Sequence, residues 1–116
     1  MTHSYHKNRD LETRKKESSR MKIKYPDRIP VIMEKLSSST ITSLPYYKFL
    51  VPNTITISEL IYVLRKKIKL KPSEAIFFFI DNTLPSTSST ISLLYNEYQD
   101  PDGFLYITFT NENTFG

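Results

Sequence analysis

A helix marked at both ends sits in the middle of this chain, between segments with the two-residue period of strands. Thr56-Ile57-Ser58-Glu59 places a hydroxyl at an N-cap and a carboxylate three residues on. At that spacing each side chain satisfies a backbone N–H that the helix start would leave unpaired. Behind the cap, Ile57, Ile61, Leu64 and Ile68 recur on one face, and Leu60 and Val63 widen the stripe on one flank. The helix is expected to run to about Lys69, and Pro72 ends it. Before it, Arg28 to Lys35 and Tyr47 to Val51 read as strands; after it, Ala75 to Ile80 and Phe104 to Thr110 do. An amphipathic helix bracketed by strands must bury its stripe against their sheet, which makes the chain α+β.

The remaining segments complete the order. Residues 1 to about 9 read as a loose or weakly helical arm, and Asp10 caps a helix from about Leu11 to Lys24 that Pro26 stops. Pro30 lacks an N–H, so the first strand is expected to start irregularly or unpaired. Ser37 to Ser43 is a Ser/Thr-rich connection. Ala75 to Ile80 reads as a strand buried on both faces. Asp81-Asn82 marks a turn, and Thr87 is the expected cap of a short helix to about Tyr98. Asp100-Pro101-Asp102-Gly103 is a turn, with its acids read as turn residues. In the last strand Leu105, Ile107 and Phe109 alternate with Phe104, Tyr106 and Thr108, so only one set faces the core. With the first helix set aside, the order is ββαβ(α)β, that of the ubiquitin β-grasp fold. There the first and last strands pair in parallel at the centre and the second lies on an open edge. The expected divisions are a helical extension over 1–25, the β-grasp core over 26–110 and a flexible tail over 111–116.

Chemistry of its own is hard to place in this chain. With 116 residues it supports one core. The absence of cysteine removes disulfides, thiolate metal sites and a thiol nucleophile together. His3 and His6 lie in the arm, where nothing holds a general base, and no further His or Cys completes a metal set. Two glycines leave no phosphate-cradling loop. No enzyme activity, metal or bound cofactor is therefore expected. The longest apolar run, Ala75 to Ile80, is far short of a bilayer span, and the polar N-terminus is no secretory signal, so the expectation is a soluble intracellular protein.

Two features point to binding instead. Gly116 ends a polar tail, and a terminal glycine presents no side chain to block entry of its carboxylate into a narrow active site. Along Lys48 to Pro52, Lys48 and Leu50 face one side and Phe49 and Val51 the other. Apolar groups on both faces of an edge strand suit either a visiting peptide added as a further strand or a covering helix. Charge adds a third feature. Residues 1–25 hold eight bases and three acids, a net +5 (eight minus three) in a chain of +4 overall. A second basic cluster runs from Arg65 to Lys71. Such clusters attract nucleic acid, acidic peptides or anionic lipid, or simply face solvent.

The blocks RIPVI (28–32), EK (34–35), KFLVP (48–52), YVLRKKI (62–68), AIFFFI (75–80), DNTLP (81–85), DGFLYITF (102–109) and NENTFG (111–116) occur in order. In these the chain resembles the GABARAP and light-chain-three family of autophagy ubiquitin-like modifiers, from about Leu11 to Gly116. The resemblance implies a β-grasp core with two additional N-terminal helices. It implies cleavage by a cysteine protease to expose the glycine. Activating and conjugating enzymes would then carry it to phosphatidylethanolamine, the covalent group expected on Gly116. Residence would be cytoplasmic, and on autophagosomal or other vesicle membranes through the attached lipid.

The resemblance also implies a two-pocket groove for aromatic-x-x-aliphatic peptides of cargo receptors and autophagy machinery. The aromatic pocket would use Glu17, Met21, Pro30, Ile32, Lys48, Leu50 and Phe104. The aliphatic pocket would use Phe49, Val51, Pro52, Ile55, Leu60 and Val63. Arg28, Lys48 and Arg65 would pair with acids flanking the motif. On this reading no nucleic acid is expected; the alternative is an unconjugated basic module for tubulin, nucleic acid or anionic lipid. Tyr46 stands where the family usually has a base, and the 37–43 segment lacks the acids common there.

Overall fold

The computed structural model describes Tyr5 and residues 8–112. Gly116, His3 and His6 lie outside the described residues. The elements are α1 (Leu11–Lys24), β1 (Arg28–Lys35), β2 (Lys48–Pro52), α2 (Ile57–Lys67), β3 (Phe77–Phe79), α3 (Ile91–Tyr98) and β4 (Leu105–Thr110). Tyr5 and Asn8 are also helical, where the resemblance places the first of the two N-terminal helices. The strands form one sheet in the order β2-β1-β4-β3. β1 and β4 run parallel at its centre, and the two outer pairs are antiparallel. This is the ubiquitin-like β-grasp, an α+β architecture.

The sheet's two faces have different covers. Ile29, Val31 and Met33 of β1 and Leu105, Ile107 and Phe109 of β4 pack with Ile57, Leu60 and Leu64 of α2 and Ile91 and Leu94 of α3. Side chains that alternate with these point to the opposite face. There Ile32 and Phe104 are fully buried with Tyr5, and Met21, Tyr47 and Tyr106 pack around them. So the strand residues pointing away from the main core are not free. Tyr5 and α1 lie over them.

A buried ion pair ties α1 to that face. Arg14 Nη1 donates to Asp102 Oδ2 at 2.8 Å, with both side chains almost wholly buried. Asp102 Oδ1 accepts the Phe104 N–H, and Ser18 Oγ donates to the Asp102 carbonyl at 2.6 Å. Tyr106 donates its hydroxyl to the same carboxylate. Gly103 follows with φ +88°, and a Cβ there would stand 2.4 Å from Ser18 Oγ. Asp102 therefore does more than shape a turn.

Several boundaries differ from the sequence expectation for physical reasons. The strand at Arg28 starts paired, with Arg28 opposite Pro52. Met33 N–H bonds the Tyr47 carbonyl, and antiparallel pairs alternate, so the Pro30 nitrogen faces β4. Pairing with β4 begins only at Val31, so no hydrogen bond is missed. Leu60 lies in the main core at 5% exposure rather than on a flank, while Ile61 is half-buried. α2 ends at Lys67, because Lys69 turns left-handed at φ 53°. β3 keeps only Phe77–Phe79 of the six-residue run, and Phe77 is half-buried. Asp81 and Asn82 make the expected turn, both with positive φ. α3 is capped by Thr90, not Thr87, since the Thr87 and Ser89 carbonyls accept the Ser58 and Ile57 N–H groups at the start of α2.

Candidate functional site

The outer edge of β2 carries the candidate site. The pairing alternation that spares Pro30 also fixes which backbone groups of β2 face outward. Tyr47, Phe49 and Val51 exchange hydrogen bonds with β1, so Lys48 and Leu50 turn their N–H and C=O groups to the other side. No described strand pairs there. A residue i and a residue i+3 of an added strand point to opposite faces of the sheet. An aromatic-x-x-aliphatic segment on this edge would thus send one anchor to each face.

On the face of Lys48 and Leu50, the expected aromatic pocket is occupied by the chain itself. Tyr5 is fully buried. Its ring meets Phe104 edge-on at 5.2 Å and Tyr47 at 5.8 Å. The Arg9 guanidinium lies 4.8 Å and the Lys48 ammonium 5.6 Å from the ring centre. The Tyr5 hydroxyl is buried on the side of the Glu17 carboxylate. Burial, then the Glu17 carboxylate, push its ionisation well above the ordinary tyrosine value. Ile32 and Phe104 lie beneath Tyr5 and reach no solvent, and Pro30 is buried, while Met21 and Leu50 are half-buried.

Glu17 organises the charges around this plug. Its carboxylate pairs with Lys48 and stands 3.7 Å from Arg9. Burial alone would raise the Glu17 pKa. Lys48, helped by Tyr5 and Arg9, outweighs burial and holds it below the usual carboxylate value.

On the other face the aliphatic-pocket residues divide. Val51 and Leu60 are core. Phe49 and Ile55 pack on the core while keeping exposed surface. Val63 is 38% exposed and Pro52 is exposed. The apolar surface offered to a partner is therefore that of Phe49, Pro52, Ile55 and Val63. Tyr46 is exposed and tilts against Phe49 at 5.9 Å.

Of the three bases expected to meet acidic flanks, Lys48 is held by Glu17. Arg65 donates to the Lys71 and Pro72 carbonyls, at 3.0 and 3.4 Å. Arg28 is exposed. The basic N-terminal segment is also less available than its net charge suggests, since Arg14 is buried on Asp102 and Arg9 lies against Tyr5 and Glu17.

The root of the C-terminal tail is fixed. Asn111 accepts from Ser39 Oγ and donates to Thr40 Oγ1, both at 3.0 Å. The tail expected over 111–116 is thus tied at its first residue by the Ser/Thr-rich connection.

Sequence reading missed two contributors, Tyr5 and Asn111. Tyr5 is the only aromatic residue among the first ten, and that isolation was the available signal.

With this geometry in view, a family model described as "Autophagy protein Atg8 ubiquitin like" matches residues 13–116. The chain belongs to the Atg8 ubiquitin-like family of autophagy proteins. Among relatives in that family, Autophagy-related protein 8 of Schizosaccharomyces pombe is 53% identical over 106 residues, 91% of this chain and 88% of its own length. Autophagy-related protein 8e of Arabidopsis thaliana is 50% identical over 107 residues, 92% and 88% of the two chains. The crystal structure of Trypanosoma brucei ATG8 superposes with a TM-score of 0.92 at 34% identity, covering 100% of both chains. Family membership and the sheet order agree on an autophagy ubiquitin-like protein with the β-grasp fold.

Proposed function

We propose that this Atg8-family chain is a modifier, not an enzyme. It is attached through Gly116 to phosphatidylethanolamine and recruits cargo receptors and autophagy machinery by adding their aromatic-x-x-aliphatic segments to β2. The observation that carries the binding half is the outward-facing N–H and C=O groups of Lys48 and Leu50, flanked on one face by the apolar surface of Phe49, Pro52, Ile55 and Val63. Each main-chain hydrogen bond adds a net of about 0.5–1.5 kcal/mol, and side-chain pockets supply the selectivity. Exposed ion pairs with acidic flanks add about 0.2–1 kcal/mol each, so the apolar anchors dominate affinity.

Membership in the family supports the conjugation half. Protease, activating and conjugating enzymes supply the cysteine chemistry that this chain lacks. A lipid with two acyl chains anchors a soluble domain stably where one chain holds it only marginally. Residence on autophagosomal or other vesicle membranes follows from that anchor.

The test combines both halves. With the conjugating enzymes, ATP and phosphatidylethanolamine vesicles, the intact chain becomes membrane-bound and a chain lacking Gly116 does not. Equal behaviour of the two removes conjugation. In calorimetry, Leu50→Asp abolishes binding of an aromatic-x-x-aliphatic peptide while the fold persists; an unchanged affinity removes the edge.

A further inference from the structure

We infer that Tyr5 is an intramolecular ligand of the aromatic pocket, so a peptide anchor enters only after Tyr5 has left. The inference rests on the β2-edge reading above and concerns the regulation of that same site.

Three observations converge on it. First, Tyr5 contacts or covers residues from the expected pocket: Ile32, Phe104, Met21 and Lys48. Second, Ile32 and Phe104 have no exposed surface while it is seated, so no outside ring can reach them. Third, the seat has the form of an aromatic-binding site. It offers an edge-on ring partner at 5.2 Å and cations 4.8 and 5.6 Å from the ring centre.

Displacement has a second consequence. Lys48 lies over the Tyr5 ring while it pairs with Glu17, so the departure of Tyr5 removes one of the contacts that fix the ammonium. Opening the pocket then also loosens a cation at the start of β2, although its pair with Glu17 persists. An anchor preceded by an acid would gain from both.

The closed state reduces apparent affinity by the fraction of molecules that are open. Removing the ring should abolish closure. The experiment measures binding of one peptide with a Phe-x-x-Leu motif to wild type, Tyr5→Phe, Tyr5→Ala and Leu50→Asp by calorimetry. Tyr5→Ala is expected to bind several-fold tighter than wild type, while Tyr5→Phe, which keeps the ring, gains less than Tyr5→Ala. If Tyr5 were instead a wall of the pocket, Tyr5→Ala would bind weaker than wild type; that result overturns the inference.

A second readout does not depend on affinity. The chain has no tryptophan, so Tyr5→Trp supplies a single indole reporter. Its emission should shift to longer wavelength as the Phe-x-x-Leu peptide is added, because the ring moves into water. A reporter that stays buried at saturating peptide overturns the inference. The two readings fail separately. Binding that is lost in Leu50→Asp but weakened by Tyr5→Ala leaves the edge standing and removes the plug. Binding by none of the four forms removes the edge and the plug with it.

Discussion

Asp102→Asn isolates the tie between α1 and the sheet. The substitution keeps shape and leaves an oxygen to accept the Phe104 N–H, now 2.8 Å away. It removes the negative charge that meets Arg14 Nη1 at 2.8 Å. Arg14 is only 6% exposed, so its guanidinium cannot recover the loss from water. Breaking a buried pair by removing one partner costs about 3–5 kcal/mol. Asp100, at 3.6 Å from the same nitrogen, remains as partial compensation, which places the expectation near the low end. For a domain of this size, about 3 kcal/mol lowers Tm by roughly 10 °C or more. Urea unfolding at neutral pH, followed by far-UV circular dichroism, gives the free energy. The companion Arg14→Met on the Asp102→Asn background should recover a large part of the loss, because no unpaired charge is then left inside. A loss of less than about 1 kcal/mol for Asp102→Asn would refute the reasoning, since that is the cost of a solvated surface pair.

Three further outcomes are expected. Glu17 has its pKa lowered in the fold, so the stability it contributes is present above the ordinary carboxylate pKa and is lost as pH falls through the folded value. Unfolding free energy should therefore drop on acidification, and the drop should shrink in Glu17→Gln; identical pH profiles would contradict this. Thr90→Ala should destabilise by about 1 kcal/mol through loss of the α3 cap, while Thr87→Ala should change stability little, as urea midpoints will show. Asn111→Ala should slow conjugation to phosphatidylethanolamine vesicles while leaving peptide affinity unchanged, because the five residues after Asn111 reach at most roughly 17 Å and their root is then no longer fixed. An unchanged conjugation rate would show that the Ser39–Thr40 anchor has no part in presenting the tail.

What was legible in the sequence followed from local rules. The Thr56–Glu59 cap, the Asp81-Asn82 turn and the alternation of β4 are each fixed within a few residues, and all three stand as read. Where the reading slipped, a distant partner had intervened. Thr87 has good cap chemistry, yet its carbonyl is taken by Ser58 from the start of another helix. Leu60 looked like a flank because the helical period permits two overlapping stripes, and only the sheet beneath selects one. Pro30 looked disruptive because the sequence does not reveal which neighbour its nitrogen faces. Phe104 was correctly turned away from the main core, but its cover comes from Tyr5, almost a hundred positions earlier. The Arg14–Asp102 pair spans 88 positions and leaves no periodic trace. The candidate site was legible as a strand with apolar groups on both faces. That Tyr5 packs over Ile32 and Phe104 was not, because a lone aromatic in a polar arm carries no register.

Amide hydrogen exchange along β2, with and without an aromatic-x-x-aliphatic peptide, tests the central claim most directly. Phe49 and Val51 should be protected in both states by β1, whereas Lys48 and Leu50 should exchange quickly alone and slowly once the peptide is bound. Protection that appears elsewhere on the chain, with Lys48 and Leu50 still exchanging freely, would mean that visiting segments do not extend this sheet.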